Sequence, residues 1–99
     1  MDRLVKGYWI AVYKDLKNAD NIKMYAEKAT PAIKKYKGKI LSRGGRVETI
    51  EGLPSPRTVL IEFPSMQDAL QCYQSDEYQE AMKIGKGEFN RHIQIVEGI

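Results

Sequence analysis

Ninety-nine residues, 42% of them hydrophobic and 29% charged, are expected to fold as one globular domain spanning 1–99, with a core but no room for a second unit. A net charge of +3 is only mildly basic, and Glu48, Glu51 and Glu62 interrupt the cations clustered between Lys34 and Arg46, so a continuous phosphate-tracking stripe is not expected. The lone Cys72 excludes an internal disulfide framework and fits a reducing, cytoplasmic setting. The opening Met-Asp-Arg-Leu-Val-Lys-Gly lacks a signal peptide's apolar run, and no stretch approaches a membrane span.

Residues 7–14, Gly-Tyr-Trp-Ile-Ala-Val-Tyr-Lys, read as a first strand, with Tyr8, Ile10 and Val12 on one face and Trp9, Ala11 and Tyr13 on the other. Neither face is plainly polar. Asp15 to Asn18 turn the chain, and Asn18 or Asp20 can cap a helix whose stripe is Ile22, Ala26, Ala29, Ile33 and Tyr36. Pro31 interrupts that stripe, so a kink is expected, or a restart with Thr30 as cap, and Gly38 should end the helix. Residues 39–43 form a second strand. A tight turn or bulge is expected at Gly44-Gly45, with 46–50 extended beyond it and 51–56 a loop.

Residues 57–63, Arg-Thr-Val-Leu-Ile-Glu-Phe, have the β-branched and aromatic composition of a central strand, which Pro64 ends. Ser65 with Asp68 three residues on is a capping signal, and Met66, Ala69, Leu70 and Tyr73 give the next helix its apolar stripe. Ser75 restarts the helix, Tyr78, Ala81 and Met82 continue its buried side, and a last strand runs over 91–97. Strand, helix, strand, strand, helix, strand is the ferredoxin-like βαββαβ plan of an α+β protein, an antiparallel sheet with its helices on one face.

Sorting strand residues by parity puts Tyr8, Ile10, Val12, Val59, Ile61, Phe63, Ile93 and Ile95 under the helices. The opposite set is Trp9, Ala11, Tyr13, Thr58, Leu60, Glu62, His92, Gln94 and Val96. It is too apolar for water and too polar for an ordinary core, which suits a partner surface, so Trp9, Leu60 and Val96 are expected beneath a second protomer. The side taken by Leu41 and Arg43 depends on the irregularity near Gly44.

Several segments together resemble the family called domain of unknown function 1330. They are Gly-Tyr-Trp at 7–9, Pro-Ala-Ile at 31–33, Leu-Ser-Arg-Gly-Gly at 41–45, Glu-Gly at 51–52, Arg-Thr-Val-Leu-Ile-Glu-Phe-Pro-Ser at 57–65, Tyr-Gln-Ser-Asp-Glu-Tyr-Gln at 73–79 and Val-Glu-Gly at 96–98. The resemblance implies a protomer of the dimeric α+β barrel superfamily, in which two sheets pair face to face. That superfamily includes small cofactor-independent isomerases, decarboxylases and monooxygenases. Two positions depart from the family's pattern: Lys37 stands where a second glycine is usual, and Gly85 where an arginine is common. The latter removes an arginine from any anion site on the last helix.

His92, the only histidine, is an acid/base candidate, although a lone histidine at a strand start is more often solvated. Glu62, a carboxylate in a central strand on a face expected to be covered, must be paired, hydrogen-bonded or protonated. Either it is an ion-pair partner, with Arg43 or a lysine across the interface, or it is a general base with Trp9, Tyr13 and Arg43 orienting an aromatic or carboxylated substrate. Tyr25, Tyr73 and Tyr78 read as packing residues with rim hydroxyls. No metal-ligand spacing, phosphate loop or dinucleotide motif is present, so no cofactor is expected. The reading is a homodimer with a small-molecule pocket in each protomer, possession of an enzymatic activity being left open. Two alternatives stand beside it. One is an RNA-binding module stacking bases on Trp9 and Tyr13, disfavoured by Glu62, and the other is a purely structural or regulatory dimer without ligand.

Overall fold

The computed structural model describes residues 5–99; residues 1–4, part of the stretch read for a leader, lie outside them. The elements are β1 (Gly7–Leu16), α1 (Ala19–Lys35), β2 (Lys39–Arg43), β3 (Thr58–Phe63), α2 (Met66–Gln74), α3 (Asp76–Gly85) and β4 (Phe89–Glu97). The strands form one sheet in the order β2-β3-β1-β4, each neighbouring pair antiparallel. This is the ferredoxin-like arrangement, with the second crossover divided between two helices.

Side-chain caps define the helix starts. Asn18 Oδ1 accepts from the Asn21 amide at 3.1 Å, and Ser65 Oγ accepts from the Asp68 amide at 3.1 Å. Ser75 closes one helix and opens the next: its hydroxyl donates to the Cys72 carbonyl at 2.7 Å and accepts from the Tyr78 amide at 3.2 Å. The restart expected at Pro31 does not occur. α1 runs through it, and the Thr30 hydroxyl, instead of capping, donates back to the Ala26 carbonyl at 2.6 Å. Pro31 and Glu27, whose carbonyl loses its helical donor, both lie on the exposed side, where water can replace the missing bond.

α1 ends at Lys35, three residues before the glycine expected to end it. The left-handed position is Lys37, with φ 66°, while Gly38 serves close packing: a Cβ there would lie 2.5 Å from Ile33 Cγ2 and 2.8 Å from Phe63 Cε1. The strand irregularity also falls earlier than expected. Gly44 does take a positive φ of 74°, but the β2–β3 register shifts between Ile40 and Ser42, and residues 46–50 add no strand.

The parity expected for β1 is inverted. Trp9 pairs with Ile61, Ala11 with Val59 and Gly7 with Phe63, so Gly7, Trp9, Ala11 and Tyr13 lie beneath the helices, and Tyr8, Ile10 and Val12 face outward with Thr58, Leu60 and Glu62. Alternation could not decide this, because both faces of β1 are apolar. Space decided it. A Cβ on Gly7 would come within 2.6 Å of the Met66 backbone, so the glycine must lie where the start of α2 presses on the sheet. The next residues on that face, Trp9 and Tyr13, are each 1% exposed and fill an aromatic core with Phe63 and Tyr78, neither of them exposed at all. Trp9 meets Tyr78 edge-on at 5.0 Å and stacks near Phe63 at 6.0 Å. The expectation that Trp9 awaits a second protomer is therefore wrong.

Candidate functional site

Four elements converge on one guanidinium. Arg91, near the start of β4, donates from Nη1 to the hydroxyls of Tyr13 (β1) and Tyr25 (α1), each at 3.2 Å. From Nη2 it donates to the Tyr78 hydroxyl at 2.9 Å and to Met82 Sδ at 3.1 Å, both on α3. The Phe89 ring backs it at 4.7 Å. Gly85 makes this possible, since a Cβ there would collide with Phe89 at 2.4 Å. The helix that lacks the family's arginine thus has a guanidinium beside it all the same, supplied by β4.

None of the four ion pairs among the described residues involves Arg91, Arg43 or Arg57. Burial works against the Arg91 charge, but the surrounding phenol oxygens outweigh it and keep the group cationic. Burial likewise raises the Tyr25 and Tyr78 pKa values above the ordinary tyrosine range, so both are neutral proton donors. The two hydroxyls bond to each other, which uses one proton. All three phenol oxygens accept from Arg91, and only that one phenol proton has an acceptor among the described residues. The cluster therefore has more donors than acceptors.

Arg91, Tyr13 and Tyr25 line a narrow cavity between α1 and the sheet, with Trp9, Ala26, Ala29, Ile33, Ile40, Val59, Ile61, Arg43 and Arg57. Its water-accessible space, ≈ 20 Å³, suffices for one water molecule. Arg43 reaches it because of the β2 irregularity: Ile40 opposes Ile61 and Arg43 opposes Val59, so the two share a face although three residues apart. Arg43 Nη1 then donates to Thr30 Oγ1 on α1 at 2.8 Å. Arg57 lies over the Tyr13 ring at 5.7 Å, and its Nε is buried without a hydrogen-bond partner among the described residues. Ala26, Arg43 and Arg57 also border an open cleft of ≈ 480 Å³ beside the start of α1.

Of the residues singled out from sequence, Trp9, Tyr13 and Arg43 come together here, and Glu62 and His92 do not. Glu62 is on the opposite face of the sheet, where Lys6 Nζ pairs with it at 3.0 Å and the Tyr8 hydroxyl donates to it at 3.3 Å. The Lys6 hydrogen bond holds its carboxyl below the usual range, the reverse of the raised value a neutral-pH base needs. Its ion-pair partner is Lys6 and not Arg43. His92 is exposed on that same outer face, opposite Val12 and 3.3 Å from Gln94 Oε1. Burial pushes the Cys72 thiol up to about 12, so it is no nucleophile at neutral pH.

Arg91, Arg57, Tyr25 and Tyr78 were not read as site residues, yet one signal was available. Arg91 shares parity with Ile93 and Ile95, which places a cation on the strand's apolar face. Among the described residues no group of His, Cys, Asp and Glu could hold a metal ion, and no helix is long and apolar enough to cross a membrane.

A four-stranded antiparallel sheet carrying three helices on one face, with a cationic cavity beneath the first, defines a ferredoxin-like α+β fold. The chain belongs to the family described as domain of unknown function (DUF1330), which matches residues 6–99. Among solved structures it resembles a protein of unknown function from Rhodopseudomonas palustris, with 14% identity and a TM-score of 0.78 over 99% of this chain and 85% of that one. A protein from Caulobacter crescentus named a "putative antibiotic biosynthesis monooxygenase" matches at 15% identity and TM-score 0.66, over 98% and 92% of the two chains. A dimeric protein of unknown function and ferredoxin-like fold from Bacteroides fragilis matches at 16% and 0.53, over 96% of each. No curated protein matches the chain in sequence.

Proposed function

We propose that the protein is a single-domain homodimer in which each protomer binds a small organic acid, its acidic group entering the cavity between α1 and the sheet and its aromatic or apolar body lying at the cavity's mouth. The observation that carries this is the donor surplus around Arg91: among the described residues the guanidinium has no carboxylate partner, and two of the three phenol protons have no acceptor. A carboxylate oxygen supplies the missing acceptor and the missing charge. Ile22 and Ala26, which line the adjoining cleft, offer apolar surface to the body. His92 and Glu62 face away from this cavity, so catalysis there would rest on charge stabilisation by Arg91 and the tyrosines. The lone Cys72 suits a cytoplasmic setting.

Dimerisation is supported by the outer face of the sheet, corrected in its membership. Tyr8, Ile10, Val12 and Leu60 are half-buried there with no element over them among the described residues, and Val96 is 46% exposed. The loop after β2 adds Ile50 and Leu53, 87% and 90% exposed, and side chains of that kind favour a protein partner over water. The Bacteroides neighbour is described as dimeric. The RNA-binding alternative loses its platform, since Trp9 and Tyr13 are under the helices.

Thermal unfolding with millimolar benzoate, and with benzyl alcohol as a neutral control, tests the ligand reading. Benzoate should raise the melting temperature, and benzyl alcohol should not. Equal shifts, or none from benzoate, would remove the organic-acid site.

A further inference from the structure

The open cleft outside the cavity is cationic in its own right. Lys17, Lys23, Arg43 and Arg57 border it with no acidic residue among its walls, and Ile22 and Ala26 supply an apolar strip between the charges. None of these four cations takes part in an ion pair among the described residues, although 13 carboxylate side chains are present in the chain. Arg43 and Arg57 belong to both compartments, so an object entering from the cleft passes between them towards Arg91. Arg57 Nε, buried and without a partner, lies at that passage and lacks an acceptor of its own. Arg91 alone can neutralise one carboxylate. The four outer cations would then be left facing one another around an apolar strip, an arrangement that a second anionic group on the same ligand relieves.

We infer that the ligand is a dianion: one carboxylate directed at Arg91 and the tyrosine hydroxyls, a short apolar or aromatic body passing Ala26 between Arg43 and Arg57, and a second acidic group held at the mouth by Lys17 and Lys23. This rests on the organic-acid reading above and specifies its substrate class. The inner space of ≈ 20 Å³ admits a carboxylate's leading atoms and no more, so the body of the ligand lies at the passage, and the mouth is where a second charge falls. Arg43 is exposed and held by a single hydrogen bond to Thr30, so its side chain is free to swing around a second carboxylate.

Isothermal titration of the full chain at low salt with benzene-1,3-dicarboxylate, and with its monomethyl ester as a near-isosteric monoanion, tests the inference. The dicarboxylate should bind at least about tenfold more tightly than the ester. In Lys17→Gln/Lys23→Gln the ratio should fall to about one. In Lys37→Gln/Lys39→Gln, which removes the same charge from a separate cleft beside Glu62, the ratio should persist. Circular dichroism and the melting temperature establish that both variants are folded. An ester that binds as tightly as the dicarboxylate, or a ratio lost equally in both variants, overturns the second-anion site while leaving the single-acid reading intact. Binding of neither compound overturns both.

Discussion

Arg91 is the residue where stability and function should separate. A cation drawn partly out of water with no counter-charge among the described residues is an electrostatic liability, only partly offset by phenol oxygens and the ring of Phe89. Arg91→Met keeps the apolar length beside Phe89 and Met82 and removes the charge. We expect stability to be unchanged or raised by about 1 kcal/mol, and benzoate binding to fall at least about tenfold. Urea denaturation and titration calorimetry measure the two. A loss of stability with binding intact would make Arg91 a structural clasp.

Glu62 behaves in the opposite way. Its pKa is lowered by the Lys6 hydrogen bond, so the unfolded state takes up a proton more readily than the folded one. The stabilisation is therefore complete above the ordinary glutamate pKa of about 4.5 and disappears as pH falls through the depressed folded value. Wild type should exceed Glu62→Gln by a constant margin above about pH 5, and the margin should narrow steadily below it. Denaturation midpoints across the acid range give this curve directly. A margin independent of pH would mean that the Lys6 contact contributes nothing in solution.

Among the elements, the junction of β1 with α2 decides which way the first strand faces. Gly7 lies against the Met66 backbone with no space for a Cβ, and neither a strand backbone nor a capped helix start gives way as a flexible side chain would. Gly7→Ala should therefore destabilise the fold by roughly 2 kcal/mol or more, with the start of α2 lifted from the sheet. Chemical denaturation gives the magnitude, and hydrogen exchange at the Ser65-capped turn shows where the damage falls. A neutral Gly7→Ala would mean that the parity of β1 is set elsewhere, by Trp9 and Tyr13 in the aromatic core. Ser75 matters for a related reason: its hydroxyl joins α2 to α3 and so sets where Tyr78 starts its climb towards Arg91.

For the whole molecule, the sheet separates two roles. Its inner face carries the aromatic core and the cavity, and its outer face carries half-buried side chains with no covering layer among the described residues. If a second copy covers the outer face, Leu60→Glu should convert the dimer to a folded monomer, because Leu60 is only half-buried within its own protomer. Trp9→Ala should instead lower protomer stability by about 3–5 kcal/mol, as expected for a large aromatic removed from a closed core. Sedimentation equilibrium across micromolar concentrations, beside denaturation of each variant, tells them apart. A wild-type chain that sediments as a monomer would remove the dimer altogether.

How much of this was legible in sequence follows from the range over which each signal acts. Caps at Asn18, Ser65 and Ser75, the strand composition around Val59–Phe63 and the stripe of α1 are local, governed by hydrogen bonds and periodicities within a few residues, and they determine the element order and hence the fold class. The direction in which β1 faces is not local. Both its parities are apolar, so only the space under α2 and the pairing with β3 could choose, and they placed Trp9 and Tyr13 inward, away from Glu62. The side taken by Arg43 likewise depended on one shifted residue between Ile40 and Ser42. The cavity draws Tyr13, Tyr25, Arg43, Arg57 and Arg91 from five separate stretches of chain, and Tyr78 joins its hydrogen-bond cluster from a sixth. Residue types mark each as a donor, but only the packing of helices on the sheet brings the donors to one point and leaves them short of an acceptor.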